Sequence, residues 1–383
     1  MSKNINVPQL RFSEFGGEWE EKKLGDIGEI VTGKTPSTTD IDLWNGDIRF
    51  ITPTDIDDNV KYQSITQRTV VKQNKMKVLP IGSIVYTCIA SIGKMQLTLH
   101  PSITNQQINS IIVNINHNNE FIYYSLLNMT PYIKSTQSNT TLPIINKTEF
   151  SKFIVGIPSI QEQEKIASFL TSVDTKIEQL TKKEALLQEY KKGVMAKIFN
   201  QEIRFKAEDG SEFPEWEDSL LGDVLDYIQP TKYLVKDTEY DNSYNIPVLT
   251  AGKTFVLGYT NETDGIFENN LPVIIFDDFT TANKFVDFPF KAKSSAMKIL
   301  IPKNNNNIKF IYETMQMIKY EVGGHERHWI SKFTFLNVFM PCLEEQTKIA
   351  NFLSSIDKKI ELATKELHST KEFKKALLQQ MFV

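Results

Sequence analysis

IPSIQEQEKIASFLTSVDTKIEQL, residues 157–180, returns near the far end of the chain as MPCLEEQTKIANFLSSIDKKIELA, residues 340–363. At an offset of 183, residues 157–199 and 340–382 agree at 19 of 43 positions, among them Pro158/Pro341, Glu162-Gln163/Glu345-Gln346, Asp174/Asp357 and Phe199/Phe382. A fainter repeat opens each half: RFSEFGGEWEEKKLGDI from Arg11 and RFKAEDGSEFPEWEDSLLGDV from Arg204, with Trp19 and Trp216 each five residues before Leu-Gly-Asp. The chain therefore reads as a duplication, in which a variable block of roughly 130–155 residues precedes a helix of about 40.

The repeated phrase predicts a coiled coil. From Ile166, every seventh residue is apolar: Val173, Leu180, Leu187, Val194. Four residues on from each lie Leu170, Ile177, Glu184, Lys191 and Ile198, a seam with two charged faults. The second copy gives Ile349, Ile356, Ala363, Thr370, Leu377 and Leu353, Ile360, Leu367, Lys374, Met381. Seven-residue spacing sustained over five heptads favours a helix–helix seam over two separate amphipathic helices. Ser159 to Glu162 after Pro158 fits a capping box, whereas Cys342 stands in the Ser position of the second copy. If the helices pair antiparallel, each block sits at its own end of a shared rod, related by a pseudo-twofold axis. Some 38 helical residues make a rod of roughly 57 Å. Phe169, Phe352, Leu186, Tyr190 and Phe373 fall outside the seam and are expected to leave apolar surface for another protein.

Bulk properties narrow the class. At 383 residues, with ordinary globular composition, two or three cored domains are expected. No leader and no long apolar run suggests export or a membrane span. Two lone cysteines, Cys88 and Cys342, form no metal or disulfide pattern, which fits a reducing cytoplasm. The net charge of −4 argues mildly against nucleic acid, but the excess acid is concentrated in Glu202–Asp241. Elsewhere a positive face is open to the chain.

The blocks read as α+β. Block one offers EIVTG, IRFITP, GSIVYTCIASIG and NSIIVNI as strands, then NEFIYYSLLNM as a helix. Block two offers IPVLTAG, LPVIIFDDFT and SAMKILIP, then IKFIYETMQMIKY. Polar clusters lie at the strand ends. In block one they include Lys34, Thr35, Thr52, Thr54, Ser91, Lys94, Asn105, Gln106, Gln137, Ser138, Asn139 and Thr140; in block two, Lys253, Thr254, Thr280, Lys284, His325, Arg327 and His328. Amides, hydroxyls and cations in loops are what reads base edges and phosphates, although any solvated loop contains them.

Catalytic motifs fail on inspection. Gly28–Thr35 matches the phosphate-loop pattern literally, and VIIFDD at 273–278 resembles the acidic strand that often accompanies it. That mechanism needs a helix starting at the Lys-Thr, and Pro36 follows directly. Asp277-Asp278 and His325-x-x-His328 lack the further ligands a metal needs. A nucleotide-binding or nuclease enzyme using Gly28–Thr35 and Asp277-Asp278 stays as the alternative from another class, and a coiled-coil adaptor without DNA contact as a third.

The pattern P-x-x-x-E-Q-x-x-I-x-x-x-L-x-x-x-D-x-x-I, met at Pro158, Glu162-Gln163, Ile166, Leu170, Asp174 and Ile177 and again at Pro341, Glu345-Gln346, Ile349, Leu353, Asp357 and Ile360, resembles the specificity subunit of type I restriction–modification systems. TGKTPS, ITPTDI, ASIGK and TNQQI in block one resemble a common version of that family's first target-recognition domain. The resemblance implies a non-catalytic subunit with target-recognition domains at 1–156 and 201–339 and spacer helices at 157–200 and 340–383. Each block would read half of a bipartite double-stranded DNA site. The helices, through Ile166, Phe169, Leu170, Val173, Ile177, Leu180, Leu187, Ile349, Phe352, Leu353, Ile356 and Ile360, would set the gap and dock two methyltransferase subunits. Restriction/translocase subunits would join them. S-adenosylmethionine, ATP and Mg2+, with adenine-N6 methylation and ATP-dependent cleavage, would belong to those partners.

Overall fold

The computed structural model describes residues 6–73, 76–136, 143–320 and 326–383. The chain divides into two compact units, one of residues 1–182 with 364–383, the other of residues 183–363. Each takes half of each long helix, which run from Ile160 to Phe199 and from Leu343 to Met381.

In the first unit a five-stranded sheet has the order Gly28–Thr32, Ile108–Val113, Ile84–Thr87, Met95–Thr98, Tyr62–Gln63, antiparallel except for the last pair. A three-stranded sheet has the order Arg68–Val70, Trp44–Ile51, Ser102–Thr104, the last two parallel. Ile84–Thr87 and Met95–Thr98 are buried at every position, so they lack the polar alternation of a one-faced strand. The helix Asn119–Thr136 lays Phe121, Tyr124, Leu126 and Ile133 into the core. Asn118 caps it, its Oδ1 accepting the Phe121 N–H at 2.9 Å.

The second unit repeats the plan. Its four-stranded antiparallel sheet runs Leu225–Ile228, Met297–Pro302, Val273–Asp277, Asn283–Val286, the same sequence-to-space order as the first four strands above. Its three-stranded sheet runs Val256–Thr260, Ile246–Leu249, Lys291–Ala292, again with one antiparallel and one parallel pair. The helix Ile308–Met317 takes the place of Asn119–Thr136. In both units the Leu-Gly-Asp stretch forms one helical turn, Leu24–Ile27 and Leu221–Val224, after a strand that pairs with the segment leading into a long helix.

The duplicated motif has one job in each unit. Arg11 clamps Glu162 through Nε and Nη2, both at 2.7 Å, and Arg204 holds Glu345 at 3.3 and 2.9 Å. The glutamates are buried, so a bidentate guanidinium compensates their desolvation. Next door, Gln163 Nε2 donates to Pro158 O at 2.9 Å while its Oε1 accepts from the Asn118 N–H at 3.0 Å. Gln346 does the same with Pro341 O and the Asn307 N–H, both at 2.9 Å. Each Gln thus welds the start of a long helix to the start of its unit's core helix, while each Glu ties it to Arg11 or Arg204. Trp19, Phe121 and Phe382 pack edge to face or tilted in one unit; Trp216, Phe310 and Phe199 do so in the other.

Within each unit the long helices run antiparallel. In the first, Asp174 meets Lys374 at 2.6 Å and Lys176 meets Glu366 at 2.8 Å. Ile166, Leu170 and Val173 pack with Leu377 and Met381. In the second, Ile198 and Met195 pack with Ile349, Leu353 and Ile356. Each such side chain, fully buried, contributes roughly 1.5–3 kcal/mol. Leu180 is buried, while Ile177, Leu187 and Ile360 are half-buried.

Two expectations are corrected. Phe169 and Phe352 do not stand free: Phe12 and Phe205 cover them edge-on at centroid distances of 5.7 and 5.6 Å. Leu186, Tyr190 and Phe373 remain about half exposed. The capping box is half made. Ser159 Oγ accepts the Glu162 N–H at 3.3 Å, but the Glu162 carboxylate is taken by Arg11.

Candidate nucleic-acid interface

In the first unit, backbone hydrogen bonds draw four loops to one edge. The Asn105 N–H donates to Ile51 O at 3.1 Å, which sets the Asn105–Gln107 turn beside Thr52–Asp55. The Cys88 N–H donates to Gln107 O at 2.8 Å and brings in the loop that carries Ser91 and Lys94. The Gly33 N–H donates to Ile108 O at 3.1 Å and adds Lys34 and Thr35. A Cβ at Gly33 would stand 2.2 Å from Asn105 O, so this glycine is required by the close approach of the two segments.

The side chains on this edge divide into builders and presenters. Asn105 is a builder: it is buried, and its amide bonds the Gln107 backbone and side chain at 3.1 and 2.9 Å. Thr52 bonds Asp55 at 2.6 Å and shares a 2.8 Å contact with Thr54. Lys94 reaches Ile56 O at 3.4 Å. Gln106 and Lys34 are exposed, and Thr35 Oγ1 donates to Gln106 Oε1 at 2.8 Å, which fixes the position of the amide oxygen. Lys34 and Thr35 also line a cleft of about 480 Å3 together with Gln73, Lys77 and Thr104. Ser91 is exposed. Gln137, Ser138, Asn139 and Thr140 lie outside the described residues, as does His325.

In the second unit Lys253, Thr254, Thr280 and Arg327 are exposed and Lys284 is half-buried. Among the described residues the side chains of Lys253, Lys284 and Arg327 have no ion-pair partner, which leaves their charge available to an anion. His328 is different. It is 0% exposed, its Nδ1 lies 2.9 Å from Tyr320 Oη, and its N–H donates to Asp278 O at 2.9 Å. It builds the fold rather than facing solvent. Beneath Arg327, burial pushes the Lys298 ammonium below its ordinary value; nearby Asp278 opposes this and Arg327 adds to it. A turn that residue types do not single out, Lys293–Ala296, joins this edge: the Lys293 N–H donates to Leu249 O and the Asp278 N–H to Ala296 O, both at 3.1 Å. The signal that finds it is strand order.

The enzymatic alternative has no geometry behind it. Gly28–Thr32 is a strand, and no helix starts at Lys34-Thr35. Asp277 closes its own turn, accepting the Phe279 and Thr280 N–H groups at 3.0 and 2.8 Å. Asp278 faces elsewhere, accepting the Trp329 N–H at 2.8 Å with Lys298 at 3.7 Å. Among the described residues no group of three His, Cys, Asp or Glu stands together, and no helix is long and apolar enough to cross a membrane.

Comparison with known proteins supplies the family. The type I restriction modification DNA specificity domain matches residues 16–188 and again 214–371. The chain is 51% identical over 141 residues to the EcoR124I/EcoR124II specificity subunit of Escherichia coli, covering 36% of this chain and 35% of that one. It is 32% identical over 225 residues to the MjaIX specificity subunit of Methanocaldococcus jannaschii, covering 54% and 52%. The chain thus spans about a third to a half of the length of these curated relatives. The crystal structure of a type I restriction–modification S subunit from M. genitalium shares the fold, with a TM-score of 0.70 at 16% identity over 98% of this chain and 99% of that one. With both halves matched by the same domain, the chain belongs to the type I restriction modification DNA specificity family.

Proposed function

We propose that this chain is the non-catalytic subunit that selects the DNA sequence for a type I restriction–modification complex. The observation that carries this reading is the paired plan: two units with the same strand order, each gathering polar loops at one edge, each matched by the specificity domain. Residues 1–156 and 201–339 act as the two target-recognition domains, and 157–200 and 340–383 as spacer helices. A split target on a twofold duplex calls for two readers, and readers about 34–36 Å apart face one side of the DNA.

Gln106, Lys34, Thr35, Ser91, Lys253, Thr254, Thr280, Lys284 and Arg327 face the DNA in this reading, and Gln137, Ser138, Asn139, Thr140 and His325 are further candidates on sequence alone. Asn105, Thr52, Thr54, Lys94 and His328 hold those loops in shape. The helices set the gap and dock two methyltransferase subunits, and restriction/translocase subunits complete the assembly. S-adenosylmethionine serves adenine-N6 methylation in the former; ATP and Mg2+ serve cleavage in the latter. The complex works in the cytoplasm. A net charge of −4 fits a subunit whose partners supply most phosphate contacts. The test is methylation mapping in cells that carry this chain with type I methyltransferase subunits. Methylated sites should share two defined half-sites at a fixed gap; methylation that ignores this chain would refute the proposal.

A further inference from the structure

We infer that the Lys293–Ser295 turn reads bases in the half-site served by the second unit, a reading that rests on the function proposed above. The two units share a matched set of backbone hydrogen bonds. In the first unit the Asn105 N–H donates to Ile51 O, the Cys88 N–H to Gln107 O, and the Ile145 N–H to Cys88 O, at 3.1, 2.8 and 2.9 Å. In the second unit the Lys293 N–H donates to Leu249 O, the Asp278 N–H to Ala296 O, and the His328 N–H to Asp278 O, at 3.1, 3.1 and 2.9 Å. The strands that carry them occupy the same places in both sheets. The turns are therefore structural counterparts, although TNQQ and AKSSA share no residue pattern.

The counterpart relation extends to side chains. Asn105 Oδ1 accepts the Gln107 N–H at 3.1 Å and closes the first turn. Ser294 Oγ accepts the Ala296 N–H at 3.1 Å and closes the second. Each closure leaves the next residue outward: Gln106 in one unit, Ser295 in the other, both exposed. The second turn is one residue longer, and the added length precedes the closing serine at Lys293. Lys293 is half-buried, with Nζ 5.6 Å from the Tyr240 ring centroid. Among the described residues it has no ion-pair partner. The two turns thus present different donors on one scaffold: an amide that suits adenine, and an ammonium with a hydroxyl that suits the O6 and N7 acceptors of guanine. That difference is what two readers of unlike half-sites require.

The experiment assembles the full chain with type I methyltransferase subunits and selects from duplexes randomised in both half-sites. Lys293→Ala should lose about tenfold or more of its discrimination at one or two adjacent base pairs of one half-site, with the other half and the gap unchanged. Lys293→Arg should keep a guanine preference there. Ser295→Ala, an exposed position, should fold as wild type and relax the same half. Uniform weakening with a smaller salt slope would assign a phosphate contact and overturn the inference. Unchanged preferences in both alanine variants would also overturn it. A wild-type complex that selects no bipartite sequence would instead overturn the function on which it rests.

Discussion

Lys374 places its Nζ 2.6 Å from Oδ1 of Asp174, and the repeat-related Lys191 stands 2.6 Å from Asp357. These lysines are faults in the apolar seam. The structure explains them: each fault is met by an aspartate of the other long helix within the same unit. In the second unit the pair closes into a ring, because Lys309 also reaches Asp357 at 2.7 Å while Glu313 takes Lys191 at 3.0 Å and Lys309 at 2.7 Å. In the first unit Tyr124 Oη donates to Asp174 at 2.6 Å, and Lys61 extends the network to Tyr124, Thr171 and Glu120. Charge at a single seam position fixes register at a cost in stability. Here it also ties the helix pair to the core helix of each unit.

The ring predicts non-additivity. Asp357→Ala leaves Lys191 and Lys309 facing one carboxylate, and should cost about 1–2 kcal/mol after allowing for its partial exposure. Lys191→Met with Asp357→Leu should recover most of that, since apolar replacement of a partly buried pair is often neutral. Chemical denaturation measures both. A double variant that loses the sum of the singles would show that the pair carries no coupling.

Arg11 and Arg204 should not be equivalent. Glu345 keeps a 3.0 Å hydrogen bond from Trp216 Nε1 when Arg204 is removed, whereas Trp19 gives Glu162 no such bond. Arg11→Ala should therefore cost about 2–4 kcal/mol, and Arg204→Ala about 1 kcal/mol less. Equal losses on thermal or urea unfolding would contradict this account of the asymmetry.

Acid should act on the second unit through Asp357. Burial opposes its charge, but hydrogen bonds from Lys191 and Lys309 outweigh burial and hold the carboxyl below its ordinary value of 3.8. A depressed carboxyl stabilises the fold fully above that ordinary value and loses its contribution as pH falls through the folded value. The stability gap between wild type and Asp357→Asn should therefore be constant at neutral pH and close below about pH 4. A gap that persists to the lowest pH at which both still fold would speak against the ion-pair origin.

Lys34 lies past the end of a strand with no helix to receive a phosphate. Lys34→Ala should change DNA affinity and leave the KM for ATP of the assembled complex unchanged at saturating DNA. A raised KM would restore the nucleotide-binding alternative.

The helices were legible because a seven-residue period survives in sequence, and so did the strands EIVTG, NSIIVNI and VIIFD. The short strands Glu20–Lys23, Arg68–Val70 and Ser102–Thr104 left no period to read. The role of Glu162 was hidden because its partner Arg11 is 151 residues away. Which polar residues are exposed on the loop edges was half legible. Polar residue types pointed to Gln106 and Arg327, but they also pointed to Asn105 and His328, which are buried. The Lys293–Ala296 turn was invisible because its kinship with Asn105–Gln107 lies in backbone hydrogen bonds, which leave no residue signature.

The central claim is that two independent readers share this chain. The most direct measurement replaces residues 205–335 with the same block of a relative of different target, then maps methylated sites in cells that supply the methyltransferase subunits. The account predicts one half-site kept, one replaced, and the gap retained. A change in both half-sites, or in the gap, would contradict it.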